Sequence, residues 1–213
     1  LAAMGYPFSI IDYSPEDIVH RIKKGRVAVI NSTDEEGTRR MLEYRSGLGH
    51  RDIGILSGRM NTYSGRVRYE TWQKYLDEHG FKTAKEWILK GEFIKREAAR
   101  EVMRMISYGK LPGALFCCND DMAMSAIEVL SQNNIRIPED ISVTGFDDIM
   151  PASLIKPALT TVRVPLYSMA KKAVDEVLKM MGDTSGNISI FNLETELVIR
   201  DSCTAVSGVR SQE

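Results

Sequence analysis

The sequence has 213 residues, 43% of them apolar and 27% charged, with 28 Lys and Arg set against 29 Asp and Glu. At about 100–200 residues per domain this is one large domain or two small ones, and so ordinary a composition excludes collagen, coiled coil and long disorder. The net charge of −1 leaves no strongly basic nucleic-acid surface and no acidic tail within these residues.

The first predicted strand is Gly5 to Asp12, and Ser14-Pro15-Glu16 then reads as a helix start, with Ser as N-cap and Pro at N1. That helix runs to about Lys24 and Gly25 closes it. Val27 to Ile30 is a short apolar strand, and Asp34 to Leu48 is a helix with Met41, Leu42 and Leu48 inward, stopped by Gly49. Ile53 to Leu56 is a strand, Tyr63 to His79 a helix ended by Gly80, and Trp87 to Leu89 a weak strand. Lys95 to Tyr108 is a helix. Ala114 to Cys118, the longest apolar run at five residues, has the pattern of a strand covered on both faces. It is far short of the roughly 20 residues a membrane span needs.

Asn119 is placed to cap a helix over Asp120 to Gln132, and Ile141 to Thr144 is a strand closed by Gly145. This alternation predicts parallel α/β structure with helices on both faces of the sheet. Beyond it lie a helix-poor stretch to Ala158, a β-branched strand from Leu159 to Val164, and a strongly amphipathic helix from Leu166 to Met181. Gly182 to Asn187 reads as a turn, Ile188 to Ile199 as one or two strands, and Gly208 to Glu213 as a loose tail. No secretory signal opens the chain, and Leu1 falls inside what reads as an ordered segment, so the sequence is expected to be a fragment. Three cysteines without C-x-x-C spacing fit a reducing compartment. His20, His50 and His79 are too scattered for a metal-ligand pair, and His50 is expected to cap the end of the preceding helix.

In parallel α/β sheets the polar ligand groups gather at the carboxyl ends of strands. Such ends carry Ser57-Gly58 with the following helix start, Glu92-Phe93, Asn119-Asp120-Asp121 and Asp147-Asp148. If those strands are neighbours, one crevice holds Ser64, Arg66, Arg68, Phe93, Asn119 and Asp147. Carboxylate, amide and guanidinium around an aromatic face suit a small polyhydroxylated ligand. Each residue also has a plain structural role open to it. Asn119 serves as an N-cap, Asp147-Asp148 as a turn, Asp120 and Asp121 as helix-start acids, Phe93 as core, and Cys117 and Cys118 as inert buried thiols. The phosphate-binding and nucleophile motifs of transferases and hydrolases are absent, so an enzyme is not expected; one would have to use the Asp clusters with Mg²⁺ or as an acid/base pair.

Several segments carry a resemblance. Leu48-Gly-His-Arg-Asp-Ile-Gly-Ile-Leu-Ser-Gly58, Asn119-Asp-Asp-Met-Ala123, Ile137-Pro-Glu-Asp-Ile-Ser-Val-Thr-Gly-Phe-Asp-Asp148 and Leu159-Thr-Thr-Val162 resemble, in order, hallmark segments of the lactose/galactose-repressor (LacI/GalR) family of bacterial transcription regulators. Glu36-Gly-Thr-Arg39 and the run from Arg66 to Leu76 add to the match. The resemblance implies a type I periplasmic-binding-protein-like α/β core, two parallel-sheet subdomains joined by three crossovers, with the first subdomain truncated at its N-terminus. Its parts would be residues 1–50 as the remnant of the N-terminal subdomain, 51–147 as the C-terminal subdomain, 159–182 as the return segment and 187–205 as C-terminal strands.

The resemblance further implies a small sugar-like effector in the cleft, held by Glu36, Ser64, Arg68, Phe93, Asn119 and Asp147, with no cofactor and no metal. It implies a cytoplasmic homodimer with Met122, Met124 and Ile155 at the interface, and operator DNA bound through an N-terminal headpiece that this chain lacks. Tyr44-Arg45 and Val164 depart from the family pattern. The competing expectations are a solute-binding protein of a sugar import system, which shares the fold, and a regulator whose effector is a protein or a phosphosugar.

Overall fold

The structure is a computed structural model that describes residues 1, 4–22, 25–182 and 186–206. Its first sheet is three-stranded and parallel, in the order β1 (Phe8–Ile11), β2 (Val27–Ser32), β8 (Ile188–Leu193). Its second is four-stranded and parallel, in the order β4 (Ile88–Lys90), β3 (Ile53–Ser57), β5 (Ala114–Cys117), β6 (Ser142–Thr144). A two-stranded antiparallel ribbon joins β7 (Thr161–Arg163) to β9 (Glu196–Val198), and bridges Thr144–Thr160 and Asp147–Arg163 attach it to the end of β6. Two parallel α/β units joined by crossovers is the architecture the sequence implies.

Local chemistry explains the helix starts. Ser14 Oγ accepts the Asp17 N–H at the head of α1 (Pro15–Arg21), with Pro15 in the first turn. Thr62 Oγ1 accepts the Gly65 N–H at the head of α3 (Tyr63–Glu78), and Asn119 Oδ1 accepts the Met122 N–H at the head of α5 (Asp120–Gln132). Gly49 and Gly80, just past α2 (Asp34–Gly47) and α3, have φ of +92° and +66°, the left-handed conformation that glycine adopts without strain. The weak strand expected at Trp87 is a 3₁₀ turn at Lys85–Trp87, with β4 beginning one residue later. The end expected for α1 near Lys24 and the tail from Gly208 lie outside the described residues, as does the middle of the turn after Gly182.

The main core is built on the second sheet. Ile53, Ile55, Leu115, Phe116 and Val143 are fully buried between α4 (Lys95–Ser107) with α5 and α2 with α3. α2 packs on α3, beside the second sheet. The first sheet is covered by α6 (Leu166–Gly182), which packs on β1 and β2 and buries Met169 and Ala173.

His50 caps the end of α2 as expected, its backbone N–H donating to the Arg45 carbonyl, and its buried ring reaches beyond the helix end. Nε2 donates to the Thr204 carbonyl at 3.0 Å and lies 3.1 Å from Ser142 Oγ, tying β6 to the C-terminal segment. Burial first, and then the Arg45 charge, push its pKa down to about 4. A histidine that protonates more readily when unfolded withdraws stability as pH falls from 6.5 towards 4. Urea midpoints should therefore drop across that window in the native chain and drop less steeply in His50→Gln, whose amide nitrogen stands where Nε2 does and can make the same donation.

Candidate functional site

The carboxyl ends of both sheets open on one cavity of about 270 Å³. The first sheet contributes Ile11 at the end of β1 with Asp12 just beyond it, and Ser32 at the end of β2 with Asp34 beyond it. The second contributes Phe93 after β4, Asn119 after β5 and Asp147 after β6. The start of α3 lays Thr62, Tyr63, Ser64 and Arg68 across the floor, and Val164, Leu166 and Met169 close the apolar side.

Arg68 organises the centre. Its guanidinium is almost wholly buried and lies 3.7 Å from the centroid of the Phe146 ring. Nε donates to Asp34 Oδ2 at 3.0 Å, and Nη1 donates to the Cys118 carbonyl at 2.6 Å and to Asp147 Oδ1 at 3.4 Å. Burial alone would lower its pKa, but the charges of Asp34 and Asp147 outweigh burial and raise it. Asp34 is further satisfied by the Ser32 hydroxyl. Asp147 is pushed up to about 6, first by burial and with Asp34 adding repulsion, while Arg68 opposes the rise. Ser64 donates through both N–H and Oγ to the two oxygens of Asp12, at 2.9 Å each. Asn119 spends its carbonyl on the cap of α5, which leaves its amide nitrogen for the cleft.

Backbone strain gathers here. Asp12, Phe93 and Asp147 all line the cavity with positive φ, at 57°, 58° and 113°. Such conformations cost of order 1–3 kcal/mol each and persist only where the surroundings impose them. Phe93 owes its place to Gly58, since a Cβ at residue 58 would stand 2.1 Å from the Phe93 Cζ.

Five of the residues chosen from sequence, Ser64, Arg68, Phe93, Asn119 and Asp147, thus share one cavity. Glu36 does not; it is exposed on the far side of the first turn of α2. Two residues turn a helix by about 200°, so Asp34 faces the cleft and Glu36 cannot. Arg66 is half-buried outside the lining. Sequence reasoning missed Asp12, Asp34 and Tyr63, although applying the strand-end rule to the first sheet would have found the two acids.

The remaining acids have other work. Asp120 is fully buried, accepting from the Thr161 hydroxyl and from the Ile149 N–H at 2.9 Å, and burial pushes its pKa up to about 7. Asp148 is clamped by Arg163 at 2.7 Å and Arg200 at 2.6 Å. Among the described residues no group of three or more His, Cys, Asp or Glu side chains is arranged to hold a metal ion.

Met122, expected at a dimer interface, is fully buried, with its sulfur packed against Gly91 and no surface to offer a second chain. Met124 and Ile155 instead line a shallow surface groove with Ile127 and Pro151.

The profile of the periplasmic binding protein-like domain matches residues 42–203. The chain is 30% identical over 196 residues to the HTH-type transcriptional repressor PurR of Pasteurella multocida, and 32% identical over 199 residues to that of Aliivibrio salmonicida. Each match covers 92% of this chain and 57% of the relative, so the chain spans little more than half the length of these proteins. A crystal structure of the lac repressor dimer bound to operator and the anti-inducer ONPF superposes with a TM-score of 0.78 at 27% identity, over 93% of this chain and 66% of that one. With the hallmark segments in order and the two-sheet cleft in place, the chain belongs to the periplasmic binding protein-like domain family and has the effector-binding core of its LacI/GalR regulators.

Proposed function

We propose that this chain is the effector-sensing and dimerisation core of a bacterial, cytoplasmic transcription regulator, a repressor by its relatives. The ligand is a small sugar-like molecule held in the cleft by Ser64, Arg68, Phe93, Asn119 and Asp147, together with Asp12 and Asp34. The observation that carries this reading is Arg68, whose one guanidinium ties Asp34, two residues beyond β2 of the first sheet, to Asp147, at the end of the second sheet. A ligand touching that network contacts both units at once, so its differential affinity for their relative orientations shifts the population between them. The groove of Met124 and Ile155 is the surface assigned to a second copy. Operator DNA is bound by a headpiece outside these residues, and near-neutral charge within them is compatible with that. A solute-binding role shares the fold, but the PurR and lac repressor likenesses favour regulation. No catalytic chemistry is assigned.

The test is calorimetry with a library of sugars, polyols and nucleosides. Gly58→Ala, which drives Phe93 out of its place, and Asp147→Ala are each expected to weaken the binding of any hit at least tenfold. Both variants should keep the native circular dichroism spectrum. Unchanged affinity in both would remove the effector from this cleft.

A further inference from the structure

The charges around the cavity do not balance. Among the described residues Arg68 is its one cationic side chain, against Asp12, Asp34 and Asp147. Asp34 takes the close ion pair with Arg68 at 3.0 Å, and the Cys118 carbonyl occupies Nη1 at 2.6 Å. Asp147 is left at 3.4 Å, with 28% of its side chain open. Asp12 accepts only neutral donors, the N–H and hydroxyl of Ser64. Among the described residues, therefore, two carboxylates face the cavity without a close counter-ion of their own. The Tyr63 phenol in the same wall reports that field: its pKa is raised first by burial and then by Asp34, Glu16 and Asp12, with Arg66 only partly offsetting them.

The chemistry of an occupant follows from what is missing. Arg68 commits Nε and Nη1 to protein acceptors and keeps only Nη2 for a ligand, and the acids around it would repel a phosphate. Neutral hydroxyls would satisfy the lone pairs but leave the charges. An ammonium brings three donors and the counter-charge together, and the face of Phe93 attracts it as well. The cavity, at about 270 Å³, is below the usual range for drug-sized ligands, which limits the occupant to about one ring. We propose that the cleft takes a cationic, amine-bearing ligand of monosaccharide size and rejects phosphorylated ones. This rests on the effector-site reading above and narrows it.

The experiment is calorimetry on the full chain with three probe sets: a hexose, a pentitol and a nucleoside, each as the neutral parent, an amino derivative and a phosphate ester. The tightest probe is expected to be an amino derivative, at least tenfold tighter than its parent, with no heat from its phosphate ester. The preference should fall towards parity in Asp147→Asn and in Asp12→Asn. A parent or phosphate ester that binds as tightly as its amine overturns the inference and leaves the effector site standing. So does a preference that survives both asparagine variants. Binding by none of the nine probes overturns the effector-site reading and this inference with it.

Discussion

Arg68→Ala is expected to destabilise the fold by about 3–5 kcal/mol, the range for removing one partner of a buried ion pair. The size comes from what the substitution leaves behind. Asp34 keeps 3% of its side chain exposed and would have only the Ser32 hydroxyl to support its charge. Asp147 loses the one group that opposes its rising pKa, and the Cys118 carbonyl and the Phe146 ring lose their contacts. Urea denaturation read by fluorescence and circular dichroism measures this directly. Removing the stranded carboxylate as well, in Arg68→Ala with Asp34→Ala, should recover part of the loss, since the two sites are coupled. Arg68→Lys should recover little, because an ammonium cannot reach Asp34, Cys118 and Asp147 as a planar fork does. A loss under 1 kcal/mol in the alanine variant would mean that the network is solvated and does not hold the two units together.

Much of this arrangement is legible in the sequence, for reasons particular residues make plain. Val27 to Ile30 and Ala114 to Cys118 are continuous apolar runs because their strands are covered on both faces. Ser14, Thr62 and Asn119 are cap residues in cap positions. The strand-end rule gathered Phe93, Asn119 and Asp147 without any knowledge of three-dimensional contacts. Glu36 came from the family resemblance instead: Asp34 and Glu36 are both acids at the start of one helix, and only the phase of that helix separates them. Met122 failed for a related reason. The apolar surface of α5 is broad enough to feed both its own core and a groove, and composition alone does not say which methionine goes where. His50 escaped because its partners, Ser142 and Thr204, are 92 and 154 residues away. Asp120 and Asp147, both acids at strand ends, read alike in sequence; in the structure one is sealed under Thr161 and the other faces the cleft.

Arg45→Met is expected to stabilise the protein by about 1–4 kcal/mol, the gain seen when buried charges give way to apolar side chains of similar volume. Arg45 is fully buried on the inner face of α2, where a leucine-like residue would suit the surrounding core. Its Nη2 donates to the Leu115 carbonyl at 2.7 Å, but Nε and Nη1 have no hydrogen-bond partner among the described residues. Burial lowers its pKa, and what favours its charge is the thiols of Cys203 and Cys117 and the phenol of Tyr44, with no carboxylate among the causes. Those thiols do not compensate it, because burial raises their own pKa values and keeps them neutral. Methionine restores the packing with a flexible apolar chain and strands no charge. Alanine would trade the charge for a void and gain little. Removing the Arg45 charge also relieves one of the three causes that hold the His50 pKa down, burial, Arg45 and Arg51, so that pKa should rise in the same variant. The acid loss of stability would then begin at the same pH but be shallower. A lower urea midpoint in Arg45→Met than in the native chain would mean that the guanidinium is compensated in the folded protein, and that α2 depends on it for its seat against β5.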